Sequence, residues 1–80
     1  MKTNKEKQEN IKESKLMLSE SYENEQKFSS LVTSEMRANY RKTQSYIKGW
    51  IDYLEGNPAK EIANNEYMIG YKNSKNWENN

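Results

Sequence analysis

From residue 31 onward, apolar and polar positions alternate with the period of a helix. Met36, Tyr40, Thr43, Ile47, Trp50 and Leu54 are spaced 4, 3, 4, 3 and 4 residues apart, which keeps them on one helical face. Val32 extends the stripe backwards. Gly56 should end it, because glycine takes the positive φ of a helix C′ position without steric cost. Asn57 and Pro58 then suit the N-cap and first position of another helix. That helix is predicted from Pro58 to about Ser74, on a seam of Ala63, Tyr67, Gly70, Ser74 and Trp77. So short a linker makes the two helices neighbours, in an antiparallel or steeply angled hairpin.

Upstream the pattern is thinner. Thr3 and Glu6 fit a capping box, and the following residues up to about Tyr22 are mostly good helix formers. Ile11, Leu18 and Tyr22 make a narrow apolar stripe. The serines of "SYENEQKFSS" suggest a break, with Ser29 or Ser30 capping the next helix; a helix continuous through this stretch is the alternative. No alternation of period 2 marks a strand. The expected fold is all-α: a polar, partly frayed helical segment over residues 1–30, a helical hairpin over 31–75 turning at Gly56–Pro58, and a disordered tail over 76–80.

Composition narrows the function classes. Hydrophobic residues are 32% and charged residues 31% of 80 residues, and a chain this short buries only about 60% of its unfolded surface. Its core must therefore lean on its aromatic residues, and either self-association or a partner could complete it. The absence of Cys and His removes thiolate and imidazole ligands and the commonest general base. Asp52, Glu55, Glu61 and Glu66 gather near the expected turn, yet without a partner base they read as solubilising charge. No catalytic residue, metal or cofactor is expected. Apolar runs are too short to span a membrane, so a soluble cytoplasmic protein is the expectation.

Charge is placed unevenly. Residues 31–50 carry Arg37, Arg41, Lys42 and Lys48 against Glu35 alone, within a net charge of +1 overall. Arg37, Arg41, Gln44 and Lys48 recur at 4, 3 and 4 residues, a polar stripe beside the apolar seam that could grip phosphates. Tyr40 or Tyr46 could stack on an unpaired base. Trp50 joins the candidate set because Trp and Tyr also anchor protein interfaces.

Two segments share an unusual frame: Tyr46-x-x-Gly49-Trp50-x-Asp52 and Tyr67-x-x-Gly70-Tyr71-x-Asn73. Glycine inside a helix costs about 1 kcal/mol relative to alanine, so something should offset two of them. Close packing of helix backbones is the expected reason, with a notch open to a partner as the alternative. "SYIKGWIDYLEGNP" followed by "EYMIGYKNS" resembles the ribosome modulation factor family over residues 43–75, through Tyr46, Gly49, Trp50, Gly56, Pro58, Tyr67, Gly70 and Tyr71. The resemblance implies a two-helix unit that docks on structured RNA or a ribonucleoprotein without catalysis. The resulting expectation is a non-catalytic protein that modulates or inhibits a larger assembly by binding it, with an RNA or ribonucleoprotein target. The alternative is a phage-type inhibitor of a host defence protein, such as an anti-CRISPR protein, acting through protein contacts.

Overall fold

A computed structural model describes residues 1–60 and 64–80 of the chain. Three helices follow in order: α1 (Asn4–Lys27), α2 (Ser34–Leu54) and α3 (Asn65–Asn79), with no strand among the described residues. All-α is therefore the observed class.

Local capping chemistry sets most of the boundaries. The Thr3 hydroxyl accepts from the Glu6 amide while the Glu6 carboxylate accepts from the Thr3 amide, so the predicted capping box starts α1. The Thr3 amide and the Thr3 hydroxyl both reach the Glu6 carboxylate and hold it below its ordinary range, the backbone hydrogen bond contributing most. α1 is one helix of 24 residues, well past Tyr22, and the chain leaves it at Phe28. The cap of α2 is Thr33, not Ser29 or Ser30. Thr33 sits in extended backbone and its hydroxyl accepts from the Met36 amide at 3.2 Å. Gly56 ends α2 with φ +80°. Its amide donates to the Tyr53 carbonyl at 3.0 Å, and the Asn57 amide donates to the Asp52 carbonyl at 2.9 Å. This is the paired closure that a glycine at C′ permits.

The start of the last helix differs from expectation. Residues 58–60 are not helical, and the N-cap of α3 is Asn64, whose side chain accepts from the Tyr67 amide at 2.9 Å. Asn57 belongs to the end of α2 instead: its amide closes that helix, and its carbonyl accepts from the Tyr71 hydroxyl at 2.9 Å. Asn64 gains a second bond, donating to Ser45 at 3.1 Å, which ties the start of α3 to α2. Ala63 and Glu61 fall outside the described residues. At the far end α3 continues through Asn79, so residues 76–79 are helical where a disordered tail is expected. Trp77 explains the extension, since its ring lies 6.0 Å from that of Trp50 and has the Lys2 ammonium 5.2 Å away.

The helices meet through few residues. Among the described residues, Ile11, Ile47, Ile51 and Tyr67 are the buried apolar side chains, joined by Gly49, Gly70, Ser14, Gln44 and Ser74. Helices α2 and α3 cross at their two glycines. A Cβ on Gly49 would lie 2.9 Å from the Tyr67 carbonyl carbon, and one on Gly70 would lie 2.8 Å from that of Tyr46. Pairs around this point do not run in sequence order: Ser45 meets Asn64, Tyr46 meets Asn73, Trp50 meets Trp77 and Asp52 meets Tyr67. Such pairing marks a steep crossing, not a side-by-side alignment. Helix α1 runs antiparallel to α2, with Asn10 at Trp50 and, further along, Ser21 and Glu25 at Gln44. The radius of gyration is 13.6 Å against about 12 Å for a compact chain of this length. The molecule is elongated, at 43 × 25 × 18 Å.

Candidate functional site

Each residue of the aromatic frame packs against another helix. Tyr46 stacks on Trp50 at 6.2 Å and its hydroxyl accepts from Asn73 at 3.1 Å. The Trp50 indole donates to Asn10 at 2.6 Å, which joins α1 to the same cluster. Tyr53 meets Tyr71 edge-on at 5.2 Å. Tyr67 donates to the Asp52 carboxylate, and burial, reinforced by that carboxylate, pushes its hydroxyl up to about 12. Burial and then Glu78 raise Tyr53 as well. Tyr46 and Trp50 are therefore half-buried members of the packing between helices. Gly49 and Gly70 are both closed by backbone, so neither forms an open notch.

Two of the acidic set are held in packing contacts, and Glu66 lies in the first turn of α3. Asp52 holds Tyr67, and Glu55 pairs with Lys15 at 2.8 Å.

The polar stripe of α2 divides. Gln44 is only 5% exposed and points into α1, donating to Ser21 at 3.3 Å and to Glu25 at 3.1 Å. A buried amide needs such partners, and α1 supplies them. Gln44 is thus a packing residue, not a phosphate contact. Arg37 is half-buried, while Arg41 and Lys48 are exposed. None of the three enters an ion pair among the described residues, whereas Lys7 pairs with Glu78 and Lys15 with Glu55. The Lys48 ammonium lies 5.3 Å from the ring of Tyr22, which is 38% exposed. The structure therefore sets an aromatic ring of α1 beside the cations of α2. The apolar spacing groups Tyr22 with Ile11 and Leu18 in the stripe of α1, whereas in the structure its ring is partly exposed at the edge of the core.

On the other flank of α1 lies a groove of 470 Å³. Met17, Glu20 and Asn24 of α1 line it together with Met36, Asn39, Tyr40 and Thr43 of α2, and Ile47 closes its floor. A smaller apolar cavity of 210 Å³ adjoins it at Met17 and Ile47 and reaches Asn10 and Trp50. Together they form a trough along α2 from Met36 to Trp50, about 21 Å at the helical rise of about 1.5 Å per residue. Tyr40 thus belongs to this trough and not to the cation row. Its α1 wall centres on Met17, which lies beside the Ile11–Leu18 stripe that the apolar spacing picks out.

A third, more polar pocket of 440 Å³ lies at the turn between α2 and α3, where Lys7, Tyr53, Tyr71 and Glu78 meet. No helix among the described residues is long and apolar enough to cross a membrane. Comparison with protein-family models, with curated proteins and with solved structures finds no match to this chain.

Proposed function

We propose that the chain is a non-catalytic binding protein that modulates a larger assembly by occupying an RNA surface on it. One arrangement carries this reading: Arg37, Arg41 and Lys48, free of ion pairs among the described residues, with the exposed Tyr22 ring beneath Lys48. Cations beside an exposed aromatic are the elements from which single-stranded RNA surfaces are built, phosphates going to the charges and a base to the ring. Glu25, an acid on the same side, is engaged by Gln44. The resemblance of residues 43–75 to the ribosome modulation factor family points the same way. In this reading the glycine crossing is the scaffold and the target meets α1 and the first half of α2.

A second reading, an inhibitor that binds a host defence protein, is favoured by the trough of Met17, Met36 and Tyr40, since methionine adapts to varied apolar partners. Recovery of the tagged chain from bacterial lysate, with and without ribonuclease, separates the two. Loss of specific partners after ribonuclease supports the RNA target; a stoichiometric protein retained after ribonuclease overturns it in favour of the second reading.

A further inference from the structure

Every contact that α3 makes with α2 through a side-chain hydrogen bond, an aromatic pair or a glycine falls at or after Ser45. The first half of α2 and the second half of α1 therefore form a two-helix arm with one open flank. Of the eight large apolar side chains left exposed among the described residues, Met17 and Met36 line this flank. Leu16, Phe28 and Leu31 belong to the same arm and its connecting turn, while Tyr22 lies on the cation flank. The accessible surface is 5865 Å² for a mass of 9.5 kDa, whereas a compact monomer of that mass exposes about 5000 Å². The excess is about 800 Å², one partner's share of a standard protein interface.

We infer that the trough is a self-association face, and that its occupant is the same arm of a second copy, the two arms forming a four-helix bundle about a two-fold axis. The rims admit this occupant. Glu13 and Glu20 lie on the α1 rim, and Glu35 and Lys42, seven residues apart, on the α2 rim by their helical spacing. A two-fold that lays α1 of one copy on α2 of the other sets Lys42 among Glu13 and Glu20, and a net charge of +1 per chain adds little repulsion. Stability favours it. The buried residues of α1 are Ile11 and Ser14, both in its first half, and the rest is a short helix that is marginal in water without packing. A target met only during function would leave that half uncovered at all other times, while a second copy is always present. The bundle leaves Arg37, Arg41 and Lys48 free on the other flank of α1 and so presents the cation row twice.

The test is the mass of the full chain by sedimentation equilibrium across the micromolar range. Twice the chain mass of 9.5 kDa is expected. Met17→Glu combined with Met36→Glu should raise the dimer dissociation constant more than about tenfold, with helicity by circular dichroism unchanged. Ile69→Glu, on the exposed side of α3, should leave it unaltered. A wild-type chain that stays at single-chain mass overturns the proposal, and this reading needs no variant to fold; the trough would then belong to a foreign segment. Dimerisation abolished by Ile69→Glu but not by the paired Met substitutions overturns it equally.

Discussion

The α carbon of Gly49 rests against the carbonyl of Tyr67, and the same relationship is repeated between Gly70 and Tyr46. Each Tyr-x-x-Gly frame thus offers its glycine to the other frame's tyrosine backbone. The crossing is so close that the group displaced by any side chain would be a peptide unit, which cannot rotate aside as a side chain can. This reciprocity accounts for two glycines in helix interiors: the helix propensity lost at each is offset by contact between the two backbones.

Gly49→Ala and Gly70→Ala should therefore each destabilise the fold by about 1–3 kcal/mol, the usual cost of overpacking, despite alanine's better helix propensity. Urea denaturation followed by circular dichroism measures it. A raised midpoint in either variant would show that the helices can part without loss. Gly56→Ala is a separate case, with open space around it and a φ of +80°, and the strain of a left-handed alanine should cost about 1 kcal/mol.

Asn10 links α1 to the aromatic cluster through the Trp50 indole. Asn10→Ala leaves that half-buried donor without its acceptor, at a cost of about 1 kcal/mol or more. Asn10→Asp keeps an acceptor oxygen and should restore most of the loss. Urea midpoints read by Trp fluorescence distinguish the two; equal losses in both variants would mean that the hydrogen bond contributes nothing.

Tyr67 makes stability depend on alkaline pH. Its hydroxyl is raised from 10.0 to about 12 by burial and by Asp52, so the folded state holds the proton more tightly than the unfolded one. The corresponding stabilisation is complete below about pH 10 and is lost as pH rises toward about 12. Tyr67→Phe should flatten that part of the stability profile, measured by urea midpoints at a series of pH values. Asp52→Asn should flatten it only in part, because burial is the larger cause. A profile in Tyr67→Phe identical to that of the wild type would remove Tyr67 from the explanation.

RNA binding through Arg37, Arg41 and Lys48 has a defined salt signature. Three phosphate contacts on a single strand give a slope of about −2 in log affinity against log salt. Arg37→Glu with Arg41→Glu should abolish binding to single-stranded RNA in fluorescence anisotropy. Tyr22→Ala should weaken it by about 1–3 kcal/mol with the slope unchanged, since stacking carries no counterion. A flat salt response would rule out phosphate recognition by this face.

Much of the fold was legible because it is local. The capping box at Thr3, the stop at Gly56 and the apolar period of α2 each depend on residues within about four positions of one another, where backbone hydrogen bonding and helical spacing act directly. Close packing at Gly49 and Gly70 could be anticipated because a helix interior rarely tolerates glycine without compensation. The candidate site was less legible. Gln44 follows the spacing of Arg37, Arg41 and Lys48, and nothing within that stripe says that Ser21 and Glu25 will bury one member of it.

The sequence by itself determined the all-helical class, the start of α1, the turn at Gly56 and the expectation of close packing at Gly49 and Gly70. Tertiary structure decided the rest. It chose Asn64 over Asn57 as the cap of α3, because Tyr71 and Ser45 come from elsewhere in the chain to hold each in its role. It ordered the C-terminal turn through Trp77 and Trp50, and by laying α1 along α2 it left one flank as a cation row and the other as an apolar trough. Helical periodicity tells which side chains share a face; only packing between distant segments tells which faces are covered.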